Sequence, residues 1–177
     1  MKNTDIKGKI KEYFFHNPRA KQRVRQMERE LQLPLPSVIR YAKELEKERI
    51  LKISHIANIT VYSADRASPQ YLTEKKLFNI RQIYASGMMD YLIAELSNPT
   101  IVLFGSYSRG EDVEGSDIDL YIEAPAQKNL KLAKFEKLLQ RKIQVFMYKD
   151  IRSIGHKELA NNIINGMVLN GFLEAFT

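Results

Sequence analysis

The chain has 177 residues, 44% hydrophobic and 28% charged, a globular balance that argues against a disordered or fibrous protein. No apolar stretch approaches the roughly 18 residues of a membrane span, the first ten residues hold no apolar signal core, and with no cysteine there is no disulfide, thiolate metal site or Cys nucleophile. The expectation is a cytoplasmic protein without a membrane partner, whose net charge of +7 (28 Lys+Arg against 21 Asp+Glu) points to an acidic partner such as nucleic acid.

The charge is unevenly placed. Residues 1–66 hold 15 basic and 8 acidic side chains; residues 67–177 hold 13 of each. Between them, residues 65–70 are polar with a proline at 69, which discourages a helix running through Ser68. Two domains are therefore expected, 1–66 and 67–177.

In chain order, Asp5 is placed to cap a helix carrying Ile6, Ile10, Tyr13 and Phe14 on one face, stopped by His16-Asn17-Pro18. Val24, Met27 and Leu31 recur at helical spacing on a charged segment. Leu33-Pro34-Leu35-Pro36 forces a break, after which Ser37 is placed to cap a third helix with Val38, Ala42 and Leu45 facing inward. Residues 50–53 and 59–62 are β-branched runs flanking a loop over 54–58, a hairpin signal.

Helix, helix, short turn, helix, hairpin, with a positive net charge, resembles a winged helix-turn-helix over residues 4–66. The resemblance implies that the third helix enters the major groove of double-stranded DNA, with Ser37, Arg40, Tyr41 and Lys43 near bases or phosphates. Lys52 and His55 on the wing would lie against the backbone or minor groove. Some winged helices bind protein instead, and Glu44, Glu46 and Glu48 dilute any phosphate-binding stripe.

Residues 70–96 read as helix broken near Ser86-Gly87, with Leu77, Ile80, Tyr84, Met88 and Leu92 as the inward face. Residues 101–104 read as a buried strand ending at Gly105-Ser106, where a new helix begins; free backbone N–H groups and a hydroxyl there suit a phosphate. In Asp117-Ile118-Asp119-Leu120-Tyr121-Ile122-Glu123 the alternation puts both aspartates on one strand face, and carboxylates at i and i+2 can share a hard divalent cation. Residues 129–140 read as a basic amphipathic helix.

Gly105-Ser106, ten residues, then Asp117-x-Asp119 matches the nucleotidyltransferase signature of the DNA polymerase beta superfamily; Arg109-Gly110 matches the basic-Gly pair of its minimal members. The resemblance implies an α+β fold over residues 70–177, a short mixed sheet with packed helices. It further implies a nucleoside triphosphate held by Gly105, Ser106 and Arg109, with Mg²⁺ (or Mn²⁺) on Asp117 and Asp119. A nucleoside monophosphate would pass to a hydroxyl acceptor, on a protein or a small molecule, with pyrophosphate leaving. Self-association as a homodimer stays open.

Active members carry a third carboxylate on a neighbouring strand. Here that strand is residues 142–148, and the alternation of Ile143, Val145 and Met147 leaves Gln144 at the acid's place. An amide is no base at neutral pH, though its carbonyl remains a neutral ligand. Three accounts follow: slow transfer without the acid; another acid in its place (Glu123, or Glu111, Asp112 and Glu114 in the adjoining loop); or a domain that has lost transfer and serves as a ligand sensor or dimerisation module of a transcriptional regulator.

Overall fold

A computed structural model describes residues 5–125 and 128–175; residues 1–4 and 176–177, the outer ends of the two expected domains, lie outside the described residues. The chain forms two compact units, Met1–Lys75 and Lys76–Thr177.

In the first unit, helix α1 (Ile6–His16) starts at Asp5, whose Oδ1 accepts from the Gly8 N–H at 2.8 Å, and buries Ile10, Phe14 and Phe15. After β1 (Lys21–Gln22) comes α2 (Val24–Leu31), which turns Met27 inward and ends on Gln32 in the left-handed region. Helix α3 (Leu35–Lys47) buries Val38, Ala42 and Leu45. Its start corrects the sequence reading: Pro34 caps it and Ser37 lies within its first turn. Prolines suit that turn because its N–H groups have no partner inside the helix, so the Pro-Leu-Pro run starts the helix as well as ending the loop.

Strands β2 (Leu51–Ile56) and β3 (Ile59–Ala64) pair from Leu51↔Ala64 to Ile56↔Ile59, leaving only Ala57-Asn58 as the turn. Ser54, His55 and Ile56, expected in a loop, are thus strand residues; a two-residue turn fixes the register and carries the ladder to its tip. β1 pairs with the other edge of β3, giving the antiparallel order β1-β3-β2. Nothing in the two polar residues of β1 signals a strand.

Helix α4 (Pro69–Ala85) begins where the sequence places the joint, since Pro69 opens it and the Ser68 hydroxyl accepts from the Tyr71 N–H. The division between units falls later, between Lys75 and Lys76, within α4. Its faces differ from expectation: Leu77 and Tyr84 are 60% and 48% exposed. Tyr71 and Lys75 are buried in the first unit, and Phe78, Asn79 and Ile83 in the second. Gly87, at φ +74°, separates α4 from α5 (Met88–Glu95).

The second unit is a four-stranded mixed sheet, β4 (Thr100–Phe104), β5 (Ile118–Glu123), β6 (Ile143–Tyr148) and β7 (Met167–Asn170), in the order β6-β5-β4-β7. β4 runs antiparallel to β5 and β7, while β5 and β6 are parallel. Between them lie α6 (Gly105–Arg109), α7 (Ala133–Leu139), a 3-10 turn (Ile151–Ser153) and α8 (Lys157–Ile164). One sheet face packs Leu103, Leu120 and Ile122 against Met88, Met89 and Leu92 of α5 and Phe135 and Leu139 of α7. The other packs Val102, Phe104 and Tyr121 against Ile163 of α8. The helix expected over 129–140 is confined to α7, on which Leu138 is 66% exposed. Among the described residues no helix is long and apolar enough to cross a membrane.

Candidate active site

The centre of the site is where β4 runs out beside β5. Phe104 pairs with Asp119, so the next residue, Gly105, turns away directly over the Asp119 side chain. Its φ is +72°, and a Cβ built there would stand 2.3 Å from Asp119 Oδ2. Glycine is required twice, for the backbone conformation and for the approach of the carboxylate. Ser106 follows in the first turn of α6, which the Ser108 hydroxyl braces by donating to the Gly105 carbonyl at 2.8 Å.

Asp117 is exposed and Asp119 half-buried. Burial, and then the charge of Asp117, push the Asp119 carboxyl above its ordinary value. Among the described residues neither carboxylate is ion-paired and neither accepts a hydrogen bond. Two adjacent, uncompensated carboxylates with one drawn into the protein suit a divalent cation, because Mg²⁺ binds through one or two carboxylates and keeps its other positions for water and phosphate oxygens. Asp117 and Asp119 would hold it, and its charge would relieve the repulsion between them.

Parallel pairing of β5 and β6 puts Gln144 opposite Asp119. Ile143, Val145 and Met147 pack into the core on one side of β6, and Gln144 is exposed on the other. The amide therefore neighbours the half-buried aspartate, as the alternation implies.

The acids considered as replacements are elsewhere. Glu123 is four residues along β5 from Asp119, about 13 Å at strand rise. Its Oε1 accepts from the Tyr121 hydroxyl at 2.8 Å and the Ile151 N–H at 3.1 Å. Glu111 is paired with Arg109 at 2.7 Å. Asp112 is buried, accepts from Asn79 Nδ2 at 2.7 Å and faces Arg141 at 3.7 Å. Glu114 is half-buried in the same loop. Among the described residues no group of three or more His, Asp or Glu side chains is arranged to hold a metal ion. Glu123, Glu111 and Asp112 are thus engaged with other partners.

Arg109 lies at the exposed end of α6, its charge offset by Glu111. Asn79 and Arg141 carry no signal that sequence reasoning could have used. Asn79 donates to Asp112 and to the Tyr107 carbonyl at 2.9 Å, fixing the loop between α6 and Asp117. Buried polar partners of this kind carry no local motif.

In the first unit, Arg40 and Lys43 are exposed on α3, and Lys47 continues the same stripe. The Arg40 guanidinium sits 4.3 Å from the centre of the Tyr41 ring and 3.9 Å from Glu44. Ser37 and Tyr41 are half-buried one turn apart. Lys52 and His55 are both exposed on β2, but an odd separation puts them on opposite faces of the strand. The structure thus brings Arg40 and Lys43 together and does not bring Lys52 and His55 together.

Residues 90–170 match the family model of a nucleotidyltransferase domain. That stretch runs from α5 to the end of β7 and holds Gly105, Asp117, Asp119 and Gln144, and the match supports the nucleotidyltransferase superfamily for it. No curated protein and no solved structure gives a match.

Proposed function

We propose that residues 76–177 bind a nucleoside triphosphate with Mg²⁺ or Mn²⁺ and transfer its nucleoside monophosphate slowly to a hydroxyl. Residues 5–66 are, in this reading, a winged helix-turn-helix that binds double-stranded DNA in the cytoplasm. The observation that carries the first part is the unpaired Asp117–Asp119 couple under Gly105. The second part is supported by the order α1-β1-α2-α3-β2-β3 and by the exposed cations of α3.

In the transfer, the acceptor oxygen bonds to the α-phosphorus, the bond from that phosphorus to the bridging oxygen breaks, and pyrophosphate leaves. When bound, the metal ion supplies charge neutralisation to the entering and leaving oxygens. Asp117 and Asp119 position that charge; the N–H groups at Gly105 and Ser106 are placed to donate to phosphate oxygens. Gln144 cannot take the acceptor proton, which passes to solvent. Losing a general base costs about 10²–10⁴-fold, so the reading is of a slow enzyme, with positioning and electrostatics supplying the rest.

Gln144 also favours a second reading, a DNA-binding regulator whose second unit binds the nucleotide without turning it over. The test is incubation with each α-labelled NTP, Mg²⁺ or Mn²⁺ and cell extract, alongside nucleotide binding by calorimetry. Label transfer absent from an Asp117→Ala/Asp119→Ala control establishes the enzyme. Binding without transfer selects the regulator, and loss of both ends both readings of this unit.

A further inference from the structure

The second unit's zero net charge conceals a strongly polarised surface. Residues 128–142 carry six basic side chains and a single acid, Glu136. Lys131, Lys134, Lys137 and Lys142 are all exposed. On α7, Phe135 and Leu139 are buried one turn apart, so Lys137 points straight out and Lys134 lies on its flank. Lys134 reaches across the rings of Phe135 and Tyr91, at 4.6 and 5.3 Å from their centres. Glu136 offsets only Lys142, at 3.5 Å; among the described residues Lys131 and Lys137 have no acidic partner. Beside the helix a groove of about 430 Å³ is lined by Lys137, Gln140, Arg141 and Lys142, and it ends at Gly115, two residues before Asp117.

We infer that this surface, from Lys131 along α7 to Lys142, is a binding site for the phosphate backbone of double-stranded DNA, separate from α3 and independent of the nucleotide-binding reading. Clustered lysines with a single counter-charge neutralise phosphates and release their condensed counterions, the source of sequence-independent affinity. The choice of a duplex follows from what the groove lacks. None of its lining residues is aromatic, Phe135 is buried, and Lys134 covers Tyr91. Single strands are held by base stacking on exposed rings as well as by charge, and this surface offers charge and one exposed leucine, Leu138, but no open ring. The charge of the second unit cancels in the sum because the remaining acids lie outside this stretch.

The test uses the full chain, with Lys131→Gln/Lys134→Gln/Lys137→Gln compared with wild type in fluorescence anisotropy against a 30-base-pair duplex and a single-stranded RNA of the same sequence, from 50 to 200 mM salt. The triple variant should bind the duplex about tenfold more weakly at 100 mM salt, with the slope of log affinity against log salt shallower by about 2–3. As a readout independent of folding, acetylation footprinting of wild type should show Lys131, Lys134 and Lys137 protected by duplex. Unchanged duplex affinity and slope, or no protection, overturns the inference. So does a loss confined to the RNA, which would make the partner a single strand. The same variants should bind nucleotide as wild type does, which keeps this outcome separate from that of the Asp117/Asp119 reading.

Discussion

Asp119 is held half-buried, against Gly105 and beside Asp117, with no ion-pair or hydrogen-bond partner among the described residues. The fold therefore disfavours its charged form, which raises its carboxyl above the ordinary 3.8. For a carboxyl raised by folding, the stability penalty builds as pH rises from 3.8 to the folded value and is complete above it; below 3.8 both states are protonated and the penalty is gone. Asp119→Asn should therefore stabilise the protein at pH 7 and raise its Tm, as removal of a functional-site strain commonly does. The gain should vanish near pH 3.8, and Mg²⁺ should raise the Tm of wild type but not of the variant. Scanning calorimetry at the two pH values checks both. A variant less stable than wild type at pH 7 would mean that the carboxylate serves the fold and not a cation.

Among the elements, the loop between α6 and β5 decides where Asp117 stands, and it is anchored from beneath. Asp112 is 1% exposed, bonded to Asn79 of α4 and facing Arg141, whose side chain is itself almost fully buried. Removing one partner of a buried ion pair leaves the other charge uncompensated, so Asp112→Ala should cost about 3–5 kcal/mol. Urea unfolding measures it, and a loss under 1 kcal/mol would show that the loop is held by its backbone alone. The same region marks the limit of what the sequence reveals. Alternation along β5 and β6 gave the register of Asp119 and Gln144, because apolar residues filling one face leave the other determined. Helix α4 misled, because its apolar periodicity selects Leu77 and Tyr84 while the buried positions include Lys75 and Asn79. Their polar ends bond backbone carbonyls, of Phe15 and Tyr107, and the lysine stem packs as hydrocarbon. Hydropathy counts such residues as exposed. A partner distant in sequence is what buries them.

For the whole molecule, the sum of charges proves less informative than their placement. The excess of +7 lies in residues 1–66, where Arg40, Lys43 and Lys47 form an exposed stripe along α3. The second unit, neutral in total, gathers half of its basic side chains along 128–142, beside a groove whose lining includes Gly115, two residues before Asp117 in sequence. On the two readings proposed, different chemistry would address two kinds of anion: a polyphosphate needing a cation between it and Asp117–Asp119, and a nucleic-acid backbone needing none. They should leave different footprints in amide hydrogen exchange on the full chain, since binding raises the local opening free energy where contacts form. NTP with Mg²⁺ should slow exchange in peptides covering 104–123, and chelation of the metal should abolish that protection. Duplex DNA should slow exchange over 35–56 and again over 131–142, with or without metal, and 300 mM salt should remove both DNA footprints together. Protection by DNA confined to 35–56 would leave the first unit as the sole DNA-binding surface. Nucleotide protection that survives chelation would argue that Gly105, Ser106 and Arg109 hold the triphosphate by themselves.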